Sequence, residues 1–444
     1  MLDFSPTLTE SKLLTPWLFF KAPEMKINWS IVDIETKMTI DKTTYQDSMQ
    51  NTTRYRDWRW PEKKIHFISD IHADADALVS SLILSKTIKK TGIKAEDFIL
   101  TSKGKKDRVI IGGDCLDKGP SNLTLLRTLK KLMQLKKNTI LLAGNHDIRL
   151  YMGLKSLNQT DNPCSEHFFV RMGIKVIPLL KEVYNDYLLG TKEAVKTLSD
   201  EQCRRLLFPS KQWQGQFIKA NKKHLNPEAM EIELKKLHEK WDNFESDCLD
   251  HGLNLEMAYQ ASQKCHALFL QPDGEFFWFF NKMKLIHREK SFLFTHAGLD
   301  NKITKVLQKS GIKKVNNLFK RLLTKDLCQF YYGSVANMIR TKYRKTDPIL
   351  SLKGVKRLHR LGIHAIVHGH VSQLKGQNIS LRSGMLHFEC DVTLDKNSRK
   401  KAGLPGFGAG VTTISPKGNI KAISTDAPFI KIFQPKAGQK QFYA

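Results

Sequence analysis

The 444-residue sequence contains no Cys-x-x-Cys pair. Its seven cysteines, Cys115, Cys164, Cys203, Cys248, Cys265, Cys328 and Cys390, are widely and unevenly spaced. That excludes a zinc knuckle and gives no disulfide framework, so a reducing compartment, the cytoplasm, is expected. None of the seven is followed six positions later by an arginine, which excludes the thiolate chemistry that depends on that spacing. Long apolar runs are missing too. The longest aromatic stretch, Phe276-Phe277-Trp278-Phe279-Phe280, is far too short to cross a bilayer. The opening Met1-Leu2-Asp3-Phe4-Ser5-Pro6 has neither the basic start nor the apolar stretch of a signal peptide. A soluble protein without a transmembrane segment is expected. Acid is scarce relative to base: Lys and Arg number 72 and Asp and Glu 44, a net charge of +28. Such an excess favours anionic partners, whether nucleic acid, membrane or phosphorylated protein. The lysines are spread along the whole chain, which disfavours nucleic acid and makes most of them a solvated surface.

What the chain does have is a recurrence: five short apolar runs, each ending in a metal-ligand type of residue. Val109-Ile110-Ile111 leads into Gly112-Gly113-Asp114-Cys115-Leu116-Asp117-Lys118-Gly119. Ile65-His66-Phe67-Ile68-Ser69 leads into Asp70-Ile71-His72, and Thr139-Ile140-Leu141-Leu142-Ala143 into Gly144-Asn145-His146-Asp147. Ser291-Phe292-Leu293-Phe294-Thr295 leads into His296-Ala297-Gly298, and Ala365-Ile366-Val367 into His368-Gly369-His370. Such runs read as buried strands. Their carboxyl ends are where α/β sheets collect ligands. One histidine after a strand is usually structural. Five such strand ends, each offering Asp, His or Asn, are hard to explain as core packing.

Between these runs the spacing predicts crossover helices over 74–90 and 122–136, completing a β-α-β-α-β unit. Strand patterns vanish over 151–285, where long amphipathic helices are expected at 200–223, 228–250 and 253–270. Asn226-Pro227 is a start signal for the second of these. The aromatic run at 276–280 is expected to pack this region back onto the core. Ile31-Val32-Asp33-Ile34 and Met38-Thr39-Ile40 suggest a short hairpin, and Val411 to Ile414 with Ile420 to Ile423 another. The last stretch looks frayed. The expected organisation is therefore an N-terminal extension at 1–61, a core at 62–152 and 286–428, a mostly helical insertion at 153–285, and a C-terminal tail at 429–444.

Two divalent ions about 3.5–4 Å apart can share a bridging carboxylate and water, lowering the water's pKa and clamping a phosphate. Asp114 is the natural bridge. Asp70 and His72 suit one ion; Asn145, His296 and His370 suit the other. Oxygen and nitrogen donors without thiolate fit Mn, Fe or Zn, and fit Mg less well. His146 adjoins a ligand and can give a proton to a leaving oxygen, with Asp117 fixing its tautomer and keeping it protonated. The Lys118 ammonium can hold a phosphate oxygen.

Together, Asp70-Ile71-His72, Gly113-Asp114 with Asp117-Lys118-Gly119, Gly144-Asn145-His146-Asp147, His296-Ala297-Gly298 and His368-Gly369-His370 resemble, in order, the motifs of the metal-dependent phosphoprotein phosphatase (calcineurin-like) family. The resemblance implies an α/β two-sheet sandwich flanked by helices. It implies one metal on Asp70, His72 and Asp114, a second on Asp114, Asn145, His296 and His370, and His146 with Asp117 as the proton-donor pair. Phosphate contacts would come from Lys118, Asn145 and an arginine between the last two histidines, with Arg340 the best match and Arg344 the next. The sequence departs from the family in Lys118, where arginine is usual, and in Ala73, where glycine is usual. Asp147 stands where eukaryotic members carry Glu. Asp147 and Ala297 are similar to bacterial members, including diadenosine tetraphosphate hydrolases. The insertion is similar in placement to the helical hairpins of secreted bacterial effector phosphatases such as the Wip proteins of Legionella, which would put the protein in a host cell. The expected activity is a phosphoprotein phosphatase acting on Ser, Thr or Tyr. A dinucleoside polyphosphate hydrolase is the second reading. A nucleic-acid phosphoesterase and an inactive scaffold come after these, since every ligand position is filled.

Overall fold

Two β-sheets lie face to face in a computed structural model of the protein, with helices on their outer sides. The structure describes residues 57–157, 164–190, 198–210, 212–427 and 429–434, and the backbone of two further short strands, Glu24–Met25 and Ile31–Asp33. The first sheet has seven strands in the order Glu24–Met25, Ile430–Phe433, Asn419–Ser424, Gly410–Ser415, Ile65–Ile68, Arg108–Ile111 and Ile140–Leu141. The second has six: Ile31–Asp33, Asn378–Arg382, Met385–Glu389, Ala365–His368, Phe292–Thr295 and Ile286–Glu289. This is the mixed α/β, calcineurin-like architecture expected from the motifs.

Strand alternation sorts the side chains between the two faces. Ile65, Phe67, Ile110, Phe292, Phe294, Ala365 and Val367 fill the layer between the sheets. Ile68, Val109, Ile111, Leu293 and Ile366 face outward under the helices. Across the layer the rings of Phe67 and Phe294 lie 5.9 Å apart. The three strands that carry Asp70, Asp114 and Asn145 at their ends are parallel. So are those that carry His296 and His370. Parallel strands deliver their carboxyl ends to the same edge, and the site lies there.

The first crossover helix is shorter than its apolar spacing predicts. It spans Ala75–Leu84 and stops at Ser85. Ile88–Lys90 instead forms a small hairpin with Phe98–Leu100. The second helix, Asn122–Leu135, starts at a Ser121 cap whose side chain accepts from the Thr124 amide. In the insertion, the single helix expected over 200–223 is two, Asp200–Leu207 and Trp213–Asn221. Pro209 is the cause: it forces Phe208 into an extended conformation, ψ 153°. Pro227–Asp250 and Leu255–Leu270 start at Asn226 and Asn254 caps, each accepting from a backbone amide. Phe276 and Phe279 of the aromatic run are fully buried, as expected.

The ends of the chain depart from expectation. Ile31–Asp33 pairs in parallel with Ile379–Leu381, and the second half of the expected hairpin, Met38-Thr39-Ile40, lies outside the described residues. Glu24–Met25 pairs with Ile430–Lys431. The N-terminal extension therefore supplies an edge strand to each sheet. The tail is not frayed from its start either, because Ile430–Phe433 is a strand. Among the described residues no helix is long and apolar enough to cross a membrane.

The inter-sheet layer gives a direct test of this packing. Phe294→Ala should lower the unfolding free energy by about 3–5 kcal/mol, read as a shifted urea midpoint. An unshifted midpoint would place the ring outside the core.

Candidate metal centre

Asp114 follows the strand Arg108–Ile111 and the Gly112-Gly113 turn, and its carboxylate is 2 % exposed. Two groups of ligand atoms meet at it: Asp70, His72 and Asp114, and Asp114, His296 and His370. Within each group all atoms lie within 4.8 Å of one another. Asp114 Oδ2 is 3.4 Å from His296 Nε2, 3.8 Å from His146 Nε2 and 4.0 Å from His72 Nε2. One terminal atom of the Asn145 amide is 3.2 Å from His296 Nε2, 3.2 Å from Asp114 Oδ2 and 2.9 Å from His370 Nδ1.

The outward nitrogens of the three ligand histidines are all engaged. His296 Nδ1–H donates to the Gly112 carbonyl at 2.9 Å, His72 Nδ1–H to the Leu116 carbonyl at 3.2 Å, and His370 Nε2–H to the Arg340 carbonyl at 3.0 Å. Each bond leaves the other ring nitrogen, with its lone pair, aimed inward, which is how metal-binding imidazoles are usually oriented. Carboxylates, imidazole lone pairs and an amide thus converge on two adjacent points, an arrangement that fits two divalent cations. On the His72 side the Lys118 ammonium stands 2.8 Å from Nε2.

Burial and neighbouring charge act together here. Burial, then the imidazole of His146 and the Lys118 ammonium, pushes His72 down to about 3. Burial, then His296, pushes His370 well below the usual imidazole range. Both rings are neutral and ready to act as ligands. Burial alone would raise Asp114, but the imidazoles of His296 and His146 hold it well below the usual carboxylate range. Burial opposes a charged His296, yet the carboxylates of Asp114 and Asp70 lift it to about 10. A cation bound at its Nε2 takes the place of that proton. Asp70 is raised well above the usual range by burial and then by Asp391.

His146 stands beside the centre. Its backbone N–H donates to Asp114 Oδ1 at 2.8 Å, and its Nδ1 meets Asp117 Oδ2 at 2.7 Å. A hydrogen on Nδ1 would donate to Asp117 and leave Nε2 towards Asp114 Oδ2, 3.8 Å away. Burial outweighs the pull of Asp114 and Asp117, and His146 lies below the ordinary imidazole range.

Arg340 sits next to the centre through its backbone, since its carbonyl holds His370. Its guanidinium lies 4.7 Å from the centroid of the Tyr331 ring, which also carries Arg171 at 4.5 Å. Arg344 belongs to a turn closed by Asp347, whose carboxylate accepts from its N–H at 3.0 Å. The motif residue His368 is a support: its Nδ1 bonds the Gly369 carbonyl at 2.9 Å and its Nε2 lies 3.3 Å from His387.

Several functional features escape sequence reading. Asp147 is fully buried and accepts from the backbone N–H of Cys115 at 2.9 Å, Leu116 at 3.1 Å and Gly144 at 3.1 Å. It ties the Asp114 loop to the Asn145 loop. Burial, then the charge of Asp114, raises its carboxyl to about 7. Asp391, whose charge helps to raise Asp70, accepts from the Ser372 hydroxyl and the Thr393 N–H, both at 3.0 Å. Asp70, His72, Ala73, Asp114, Asp117, Lys118 and His370 all have positive φ, between 47° and 74°. Left-handed non-glycine residues are uncommon and concentrate at functional sites. Two glycines make room for them: a Cβ on Gly144 would lie 2.0 Å from the Asp114 nitrogen, and one on Gly369 would lie 1.9 Å from Asp70 Oδ2.

Residues 63–373 match the family described as calcineurin-like phosphoesterase. Solved structures similar to the chain include a cold-active protein-tyrosine phosphatase from a psychrophilic Shewanella, at 15 % identity. That match covers 84 % of this chain and 80 % of the other, with a TM-score of 0.37. A protein serine/threonine phosphatase from Saccharomyces cerevisiae is similar at 11 % identity over 90 % of this chain and 92 % of the other, TM-score 0.34. Overlaps this loose say nothing of substrate. No curated protein sequence matches the chain.

If Asp114 serves both clusters, Asp114→Asn should lose bound metal from both, leaving well under one equivalent by elemental analysis. His146→Ala should keep the wild-type metal content. Metal loss in the His146 variant would make that ring a ligand.

Proposed function

The chain belongs to the calcineurin-like phosphoesterase family, and we propose that within it this protein is a metal-dependent phosphoprotein phosphatase. The observation that carries the reading is the Asp114 carboxylate shared by two ligand clusters with the His146–Asp117 pair beside it. Asp70, His72 and Asp114 are the proposed ligands of one divalent ion; Asp114, Asn145, His296 and His370 are those of the other. Two ions bound there supply a water of lowered pKa and Lewis-acid stabilisation of the phosphate oxygens. Manganese suits the nitrogen and oxygen donor set, with iron or zinc as further candidates.

The remaining steps are assigned to this chain's own side chains. Lys118 holds a phosphate oxygen as a point charge, where the family's usual arginine would give a two-pronged fork. Asn145 adds its amide to the phosphate contacts. His146, entering the step as the imidazolium, gives its Nε2 proton to the departing oxygen and ends as the neutral ring. Asp117, 2.7 Å from Nδ1, stabilises the imidazolium in that exchange. Arg340 contributes to phosphate binding in this reading from its place on Tyr331. A protein substrate is favoured over a dinucleotide because the helical insertion brings basic side chains towards the centre, Lys175 beside Asp117 and His146 and Arg171 onto the Tyr331 ring of the core. The cytoplasm is the proposed compartment, consistent with seven cysteines that form no disulfide. Delivery to a host cell is the corresponding proposal for a bacterial effector.

The test is a panel assay with Mn²⁺: para-nitrophenyl phosphate, peptides carrying phosphoserine, phosphothreonine or phosphotyrosine, and diadenosine tetraphosphate. Peptide turnover that stops with chelator is expected, and the best peptide names the phosphoresidue class. Turnover of the dinucleotide alone would overturn the reading. On the best peptide, His146→Ala should lose about 10²–10⁴-fold in kcat. A near-wild-type rate would remove His146 from proton transfer.

A further inference from the structure

The two-metal reading gives the helical insertion no defined task. One of its segments that lines a cleft with Asp117 and His146 is the 3₁₀ turn Val170–Lys175, which breaks at Gly173 with φ 58° and ψ −150°. The long helix Pro227–Asp250 lies against this turn. Lys240 of that helix donates from Nζ to the Arg171 carbonyl. Its stem covers Gly173, where a Cβ would lie 3.5 Å from Lys240 Cγ. From the core side, Arg149 follows Asn145 by one helical turn in the helix Asn145–Ser156, so both project from one face. Asp117, His146, Arg149 and Lys175 line one cleft beside the centre.

Cations outnumber free anions on and around this cleft. Lys175 is opposed by the like charges of Arg149 and Lys118 and favoured by Asp117 and Asp114. Lys240 faces Arg149, Arg171 and Lys175, with Glu233 as the opposing anion. Glu233 is already engaged: it pairs with Arg171 at 2.5 Å and accepts from the Tyr332 hydroxyl at 2.8 Å. Burial, and then Arg149 and Arg171, drive the Lys240 ammonium down to about 7. The insertion's surface arginines are paired, Arg204 with Glu245 and Arg205 with Glu201. Among the described residues Arg149, Lys175 and Lys240 form no ion pair. Cations crowded together at a half-buried cleft repel one another, and an arriving anion relieves that repulsion.

We propose that Arg149, Lys175 and Lys240 form a second anion subsite beside the phosphate position, selecting phosphopeptides that carry another anionic group close to the scissile phosphate. The group is a carboxylate or a second phosphate, and both present the oxygen acceptors that ammonium and guanidinium groups bind. The subsite rests on the phosphoprotein phosphatase reading. It makes the insertion a specificity element: one cation comes from the core helix, two come from the insertion, and a neutral flank leaves all three unpaired.

The test uses the full chain loaded with Mn²⁺ and three peptides sharing one phosphoresidue, with neutral flanks, with aspartate flanks, or with a second phosphate. Wild type should show a KM about tenfold lower for at least one charged peptide than for the neutral one, a difference of about 1.4 kcal/mol. Which charged peptide gains tells carboxylate from phosphate. Lys240→Gln, and independently Lys175→Gln, should bring the ratio close to one, while Lys240→Arg should retain it. Equal KM values across the three peptides in wild type, or an undiminished ratio in both glutamine variants, would overturn the subsite and leave the phosphatase reading standing. Cleavage of para-nitrophenyl phosphate with no turnover of any peptide would instead sink the phosphoprotein reading, and the subsite with it.

Discussion

A carboxylate with almost no exposure to water, surrounded by imidazoles, is the constraint around which the rest of this structure is arranged. Burying Asp114 without compensation would neutralise it. Compensation comes from His296, His146 and His72 around its outer oxygen, and from the His146 backbone N–H on Oδ1. None of these can drift, because each is fixed by a second bond to the backbone or to another carboxylate. The loops themselves are tied edge to edge. The amides of Asp70, His72 and Ala73 donate to the carbonyls of Gly113, Asp114 and Cys115 at 3.1, 2.9 and 2.6 Å. Ligand-bearing loops stitched by main-chain bonds give a site that is largely formed before any cation arrives.

That stitching explains the unusual backbone. Seven residues at the centre take left-handed φ, each at a cost of order 1–3 kcal/mol. Such a cost is sustainable only where the surroundings over-determine the conformation. Asp147, with three backbone amides on one carboxylate, is one such clamp. The inter-sheet layer is the other: Phe67 and Phe294 fix the strands whose ends the loops leave. The core's alternating pattern is therefore connected to the chemistry, since it sets where the five strand ends sit.

The parts of this arrangement that were legible in the sequence are those with local signals. Each ligand strand is a short apolar run closed by glycine or a ligand residue. Pro209 carried a local signal too, but the expectation of one helix over 200–223 passed over it, and the break follows from its effect on Phe208. Long-range pairing has no local signal. Nothing near Ile31 or Ile430 in the sequence says that these segments close the edges of two sheets. The left-handed loop residues were hidden because aspartate, histidine and lysine do not announce positive φ as glycine does. Asp391 was hidden because its relation to Asp70 arises from folding, across more than three hundred residues. His146 is a different case. Its contact with Asp117 was expected from the motif, but sequence spacing carries no information about burial, the largest influence on its basicity.

The insertion is joined to the centre through one aromatic ring. Tyr331 carries the guanidinium of Arg171, from the insertion, and that of Arg340, whose carbonyl orients His370. Arg171 also bonds the Tyr331 hydroxyl at 2.6 Å and pairs with Glu233 of the long insertion helix. Two cations on one buried ring are tolerated because Glu233 balances part of their charge and because stacking on an aromatic face partly replaces lost hydration. The chain of contacts runs from the helix Pro227–Asp250 through Arg171, Tyr331 and Arg340 to a candidate metal ligand. An anion that settles among the insertion's cations changes the charge felt by Arg171 first, and Arg171 is the residue that holds Tyr331 in place. The proposed anion subsite on the insertion and the orientation of His370 thus draw on neighbouring side chains, so the insertion packs as one wall of the candidate centre.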